Sequence, residues 1–293
     1  MFTRPAELLR RLCAMLLSML GCAAPQANKP YPPFRAVVGP LIIAHRGGSL
    51  EAPENTLAAV RHGVAVGSDW QEIDVTLSED GHPIVFHDDT LERTTPGHGI
   101  VEQQSLQTLQ ALPAGAPTWS PNARARLAKQ GVTPPNFGTR FAAERIPTLD
   151  QVLAIPGARL MIELKATKRA QKLAEQVLNA IRRANAFDRV ALASLDFTLL
   201  DIAHRLDPAV PLIGVAEDRA SVQRMLQLPI QVLAVSTEII DEALETLPRS
   251  LALWTWTVYT PDQAVALVDK GVHGLITDAP AAVVNALRRE PPL

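Results

Sequence analysis

The sequence predicts an α/β fold, a (β/α)8 TIM barrel with a small insertion after the hairpin that follows the second strand. Short apolar runs alternate with amphipathic stretches along most of the 293 residues, the pattern of repeated βαβ units around a parallel sheet. The runs number eight, near 41–45, 70–76, 159–164, 189–194, 210–215, 231–236, 251–258 and 273–277. Eight strands close a barrel, and single barrels commonly run to about 250 residues. Charged and polar residues also gather where the first three runs end, the place where this fold builds its chemistry.

In chain order, Arg4, Arg10 and Arg11 precede an apolar run over 12–20 that is too short to span a bilayer and suits a secretory signal. Gly21-Cys22 then resembles a bacterial lipoprotein cleavage site, with Cys22 as the lipidated first residue, although Met19 stands where that pattern favours leucine. The alternative is an ordinary cleaved signal with an incidental cysteine. Residues 1–21 therefore read as a signal peptide, 22–38 as a Pro- and Ala-rich tether, and 39–293 as the barrel, with the insertion at 89–146. This organisation implies export to the periplasm or cell envelope and membrane attachment through the lipid on Cys22.

Residues 41–44, Leu-Ile-Ile-Ala, read as a fully buried first strand. Asn55 or Thr56 caps a helix over 55–66, and further helices follow at 148–155, 168–184, 197–206, 218–228, 240–247, 261–269 and 280–289. Pro147 and Pro261 mark two of the starts. Asp80-Gly81 is a turn signal, so residues 82–87 fold back as a hairpin beside the second strand. In the insertion, Pro113, Pro117, Pro121, Pro134, Pro135, Gly115 and Gly131 interrupt regular structure, leaving short helices over 103–112 and 122–130.

Net charge is −2, and since residues 1–21 carry +2 the remainder sits near −4. A nucleic-acid partner, which needs a basic face, is disfavoured. Both cysteines, Cys13 and Cys22, precede the barrel, which has no disulfide to fix its compartment.

His45 and Arg46 close the first strand, and polar groups are costly at the end of a buried strand unless they face a cleft. Glu72 and Asp74 are two residues apart on the second strand, hence on one face. Like charges so close repel, and a bound cation offsets both repulsion and desolvation. Glu163 and Lys165 share a face at the end of the third strand, and the hairpin returns His87 toward Glu72 and Asp74. Three carboxylates with no cysteine nearby favour a hard divalent ion, Ca²⁺ or Mg²⁺, over zinc.

His45-Arg46-Gly47, Pro53-Glu54-Asn55-Thr56, Glu72-Ile73-Asp74, His87-Asp88 and Ile162-Glu163-Leu164-Lys165, in this order, resemble the glycerophosphodiester phosphodiesterase family. The likeness extends from about residue 41 to Asp278. It implies metal-dependent hydrolysis of small glycerophosphodiesters to glycerol 3-phosphate and an alcohol. By resemblance, Glu72, Asp74 and Glu163 bind the metal, His45 and His87 are the acid/base pair in either order, and Arg46 and Lys165 hold the non-bridging phosphoryl oxygens. The nucleophile is water or the neighbouring glycerol hydroxyl, the latter giving a cyclic phosphate first. Glu54 either touches the metal or a glycerol hydroxyl, or serves the dipole of the following helix. Trp256 resembles the tryptophan that lines the family's substrate cleft; the family usually continues with asparagine where this chain has Tyr259, which hints at a different leaving group or a more apolar cleft. Two alternatives stand beside this reading: a lysophospholipase D-like or other lipid phosphodiesterase on the same barrel, and a non-catalytic binding barrel. The presence of both histidines, all three carboxylates, Arg46 and Lys165 argues against the latter.

Other features read more plainly. His62, His82, His98, His204 and His273 lack carboxylates at ligand spacing, Trp254 fits core packing, and Arg124, Arg126, Lys129, Arg140 and Arg145 read as a solvated basic face.

Overall fold

The computed structural model describes Phe34 and residues 39–116, 118–248 and 250–288. The expected signal segment, Cys22 and, Phe34 apart, the tether to residue 38 lie outside the described residues. Eight parallel strands form a closed barrel: β1 (Leu41–Ala44), β2 (Trp70–Leu77), β4 (Leu160–Leu164), β5 (Val190–Ser194), β6 (Leu212–Ala216), β7 (Val232–Ser236), β8 (Ala252–Val258) and β9 (Gly274–Thr277). Closure comes from β1, which pairs with β9 on one side and β2 on the other. The ninth strand, β3 (Pro83–Val85), runs antiparallel along the outer part of β2, as the hairpin signal predicts.

Period-2 geometry divides the barrel into two cores. Ile43, Trp70, Met161, Ile213, Ala234, Trp254 and Ile276 fill its interior. On the opposite face of the same strands, Ile42, Ile73, Ile162, Leu212, Leu233 and Leu275 point outward against the helices. Those helices are α1 (Leu57–Ala65), α4 (Leu149–Leu153), α5 (Ala170–Arg183), α6 (Phe197–Leu206), α7 (Arg219–Met225), α8 (Ile240–Thr246), α9 (Pro261–Asp269) and α10 (Pro280–Arg288). In α5, the buried Leu173, Ala174, Val177, Leu178 and Ile181 recur every three or four residues, the stripe that seats a helix on a sheet. Side-chain caps from Thr56, Thr148, Asp196, Asp218 and Thr260 fix where helices begin, each worth about 1 kcal/mol.

The insertion carries α2 (Leu106–Ala111) and α3 (Pro121–Lys129), close to the expected positions. It rests on a third core of its own, built from Ile84, Phe86, Leu91, Val101, Leu109, Ala114 and Ile146. At the amino-terminal end of the barrel, the Phe34 ring stacks on Trp70 at 5.6 Å, and Trp254 Nε1 donates to the Phe34 carbonyl at 3.1 Å.

Candidate functional site

The site begins with a tight turn. After β1 the chain passes through Arg46 at φ 53°, a left-handed conformation uncommon for a non-glycine residue, and Gly47 at φ 83°. A Cβ at Gly47 would stand 2.6 Å from the Ala59 carbonyl carbon, so only glycine lets the turn lie on α1. The turn aims the Arg46 amide at Glu72, whose Oε2 accepts from it at 2.7 Å. Asn55 then stitches the following loop to β2: its Nδ2 donates to Asp74 Oδ2 at 2.8 Å, and its Oδ1 accepts from the Asp74 amide at 3.1 Å.

Glu72 and Asp74 have the barrel-interior parity of Trp70, and Glu163 that of Met161, while parallel pairing sets Asp74 beside Glu163. One ligand atom from each of the three carboxylates lies within 4.8 Å of the others. Lys165 Nζ donates to Glu163 Oε1 at 2.9 Å and stands 3.3 Å from Asp74 Oδ1. Burial and the neighbouring Asp74 charge push the Glu72 carboxyl up to about 8. For Asp74 burial acts the same way, but Lys165, His87 and Arg46 outweigh it and hold that carboxyl below its ordinary range. Among the described residues Glu72 Oε1 is buried without a hydrogen-bond partner. A buried, unpartnered carboxylate oxygen is costly, and a hard cation among these oxygens would satisfy it, so the donor set fits a calcium- or magnesium-like ion.

Both expected histidines line the cleft, each oriented by a carboxylate. His45 Nδ1 lies 2.5 Å from Asp278 Oδ1, which leaves Nε2 directed inward, 4.0 Å from Glu72 Oε2. Burial lowers the His45 pKa, but Asp278 more than offsets it and the net movement is upward. His87 Nδ1 lies 2.6 Å from Asp88 Oδ1. Because an ionised carboxylate only accepts, Nδ1 carries the proton in each pair and Nε2 is the atom left for chemistry.

Arg93, which the sequence reading did not single out, joins these parts. Its Nε and Nη2 grip Asp88 at 2.6 and 2.8 Å, while Nη1 and Nη2 grip Glu54 at 2.5 and 2.7 Å. Glu54 also accepts from Arg46 Nη1 at 2.7 Å. Burial would raise the Glu54 carboxyl, yet Arg46 and then Arg93 bring it down to about 2. Glu54 is therefore the hub of an arginine pair at the cleft, and the cap of α1 is Thr56 instead.

The cleft, about 380 Å³, brings together all of the expected residues His45, Arg46, Glu54, Glu72, His87, Glu163, Lys165 and Trp256, with Asp74 directly beneath through Lys165 and Arg46. It adds Asp278, Asp88, Arg93, Trp119 and Arg126. Asp278 follows Ile276 by two residues, so it continues the interior parity of β9, a signal present in the sequence. Arg126 is not part of an undifferentiated basic face: it reaches the cleft from α3. Tyr259 does not make the cleft apolar there, because it lines the wall together with Thr257 and Arg126. His62, read as a surface or satisfied histidine, is satisfied by Glu51 at 2.6 Å.

Residues 45–282 match the model of the glycerophosphoryl diester phosphodiesterase family. The chain is 31% identical to a glycerophosphodiester phosphodiesterase of Caldanaerobacter subterraneus subsp. tengcongensis over 85% of its own length and 98% of that protein's. A Bacillus subtilis glycerophosphodiester phosphodiesterase is 27% identical over 82% of this chain and 84% of its own. Among solved structures, an Oleispira antarctica phosphodiesterase in complex with its product sn-glycerol-3-phosphate superposes with a TM-score of 0.73, at 27% identity, covering 86% of this chain and 98% of that one. Matched by its motifs, its barrel and these relatives, the chain belongs to the glycerophosphoryl diester phosphodiesterase family.

Proposed function

We propose that the chain hydrolyses glycerophosphodiesters to glycerol 3-phosphate and a free alcohol with the help of a divalent cation held by Glu72, Asp74 and Glu163. The observation that carries this reading is the pairing of two carboxylate-oriented histidines, His45–Asp278 and His87–Asp88, in one cleft with the carboxylate trio and its unpartnered Glu72 oxygen. The product in the complex of the Oleispira antarctica relative agrees with it.

A bound Ca²⁺ or Mg²⁺ would act as a Lewis acid that neutralises charge on the phosphoryl oxygens. The guanidinium of Arg46 and the ammonium of Lys165, both fixed by carboxylates, hold the non-bridging oxygens and meet the charge that grows as the ester bond breaks. One histidine, protonated, gives its Nε2 proton to the leaving alcohol oxygen. The other, neutral, takes the proton of the nucleophile, which is water or the neighbouring glycerol hydroxyl; in the second case a cyclic phosphate forms, and water then opens it with the two histidines in exchanged roles. Trp256 borders the substrate, and Glu54 positions Arg46.

We also propose that the enzyme acts outside the cytoplasm, anchored by lipid on Cys22; the support is the arginine-flanked apolar run over 12–20 and Gly21-Cys22. No helix among the described residues is long and apolar enough to cross a membrane.

The direct test supplies glycerophosphodiesters with and without chelator and measures glycerol 3-phosphate by a coupled dehydrogenase assay. Chelation abolishes turnover, calcium or magnesium restores it, and Glu72→Ala, Asp74→Ala and Glu163→Ala each lose both metal and rate. Full activity in a metal-free preparation overturns the metal reading.

A further inference from the structure

Beside the cleft lies a second cavity of about 350 Å³ that none of the site chemistry explains. The two are continuous: Arg126, Glu217, Trp256, Thr257 and Tyr259 line both. The reacting groups lie on the β1, β2 and β4 side of the barrel mouth, whereas the second cavity opens over the ends of β6, β7 and β8, roofed by α3 of the insertion. It contains neither histidine nor any of the three metal-directed carboxylates, so nothing in it acts on phosphorus. It is placed to receive the part of a diester that extends past the scissile bond.

We propose that this cavity is the leaving-alcohol subsite and that it takes a polyhydroxylated alcohol, glycerol-like or cyclitol-like, in preference to an acyl-bearing or quaternary-ammonium alcohol. The proposal rests on the phosphodiesterase reading and narrows its substrate. Three observations support it. Among the described residues none of the side chains lining the cavity is aliphatic, so beyond its two aromatic rings an acyl chain would gain little apolar contact there and would desolvate charged groups. Lys129 and Arg126 on the α3 side are matched by Glu217 and Glu238 on the strand side, leaving no net charge to select an ionic headgroup. Among the described residues the cavity also lacks a full aromatic cage for an ammonium: besides Trp256 its aromatic group is Tyr259, which shares the wall with the repelling cation of Arg126. What the walls offer is a dense mixture of amide, hydroxyl and carboxylate donors and acceptors around one tryptophan. That is the chemistry that recognises vicinal hydroxyls and the C–H face of a polyol. Trp256 is fixed for this by its own Nε1, which donates to the Ala234 carbonyl at 3.3 Å.

Gln130, at the end of α3, and Glu238, just beyond β7, line the second cavity and not the cleft. They give a clean test. The full chain is assayed on diesters that share the glycerophosphate half and carry glycerol, inositol, choline or methanol as the second alcohol, together with lysophosphatidylcholine. The glycerol and inositol diesters show KM values about tenfold below that of the methyl diester, the order expected of one or two net hydrogen bonds. Choline resembles methanol, and the lysolipid is the poorest substrate. In the double variant Gln130→Ala, Glu238→Ala, the polyol KM values rise to that of the methyl diester, while kcat and all methyl-diester kinetics stay unchanged. A preference for the choline or lysolipid substrate overturns the proposal. So does a variant that slows the methyl diester as much as the polyol diesters. If no diester is hydrolysed, methyl included, it is the phosphodiesterase reading that fails. Calorimetric binding of glycerophosphoglycerol to wild type and double variant then decides the subsite, and equal binding by the two overturns it.

Discussion

Replacing Arg93 by methionine removes the cation that clamps Glu54 and Asp88 while keeping most of the side-chain volume. The size of the effect follows from the two carboxylates. Glu54 is 8% exposed and held at about 2 instead of 4.5. That displacement corresponds to roughly 3 kcal/mol of stability at neutral pH. Arg46 supplies the largest single attraction and survives the substitution, so the loss is smaller than that figure, about 1–2 kcal/mol. The Asp88 fork is more exposed and solvent-screened, adding about 0.5 kcal/mol. The total is about 2 kcal/mol, or a fall in Tm of roughly 4–8 °C for a domain of this size. The sign of the pH dependence is also fixed. A carboxyl whose folded pKa is depressed stabilises above its unfolded value and loses that contribution as pH falls through the folded one. The wild-type advantage in thermal unfolding is therefore full at pH 6–7 and shrinks between about pH 4.5 and 2. Scanning calorimetry of both proteins from pH 3 to pH 7 measures it. A Tm difference under 2 °C, or one that grows toward acid pH, refutes the clamp.

His45→Ala and His87→Ala each lower kcat by about two to four orders of magnitude with the fold intact by circular dichroism, whereas His82→Ala and His98→Ala are near neutral. Equal losses from all four overturn the assignment. Asp278→Asn leaves His45 in place but replaces the accept-only carboxylate that fixes its tautomer by an uncharged amide that can also donate, so activity drops at least tenfold and the rate–pH profile shifts, with KM little changed; a loss of activity that comes only from a raised KM speaks against a positioning role. Expressed in a bacterium, the full-length wild type fractionates with membranes and needs detergent for release, and Cys22→Ser abolishes lipid labelling, which metabolic incorporation of a labelled fatty acid reads out; labelling that persists in the variant ends the lipoprotein reading.

Where strands alternate, the site was legible. Glu72, Asp74, Glu163 and Lys165 followed from period-2 geometry, and the same parity reaches His45 from Ile43 and Asp278 from Ile276. Asp278 went unremarked because a single aspartate after a strand is also an ordinary helix start. Arg93 was not legible at all. It belongs to the irregular chain after β3, and its partners Asp88 and Glu54 come together only when that chain folds back over the barrel mouth. The same holds for Arg126, one cation among several on α3, whose place over the cleft depends on how the insertion docks. Glu51 and His62 escaped because loop-to-helix contacts have no period.

The third core has a consequence for how the enzyme comes apart. Phe86, which precedes His87 in the chain, is seated with Leu91, Leu109 and Ile146 in a cluster separate from both barrel cores. Arg93, in turn, carries the insertion, since the Thr118 amide and hydroxyl both donate to its carbonyl, at 2.7 and 2.8 Å. A cluster of that kind can open as its own cooperative unit, at a free energy below that of the whole molecule. Such an opening disengages His87 and loosens the clamp on Glu54 while His45, Asp278 and the carboxylate trio stay mounted on the barrel strands. In hydrogen exchange, amides over 84–112 would then trade together and earlier than those of β1, β2 and β4, so that one of the two proposed acid/base groups is lost reversibly from an otherwise folded barrel.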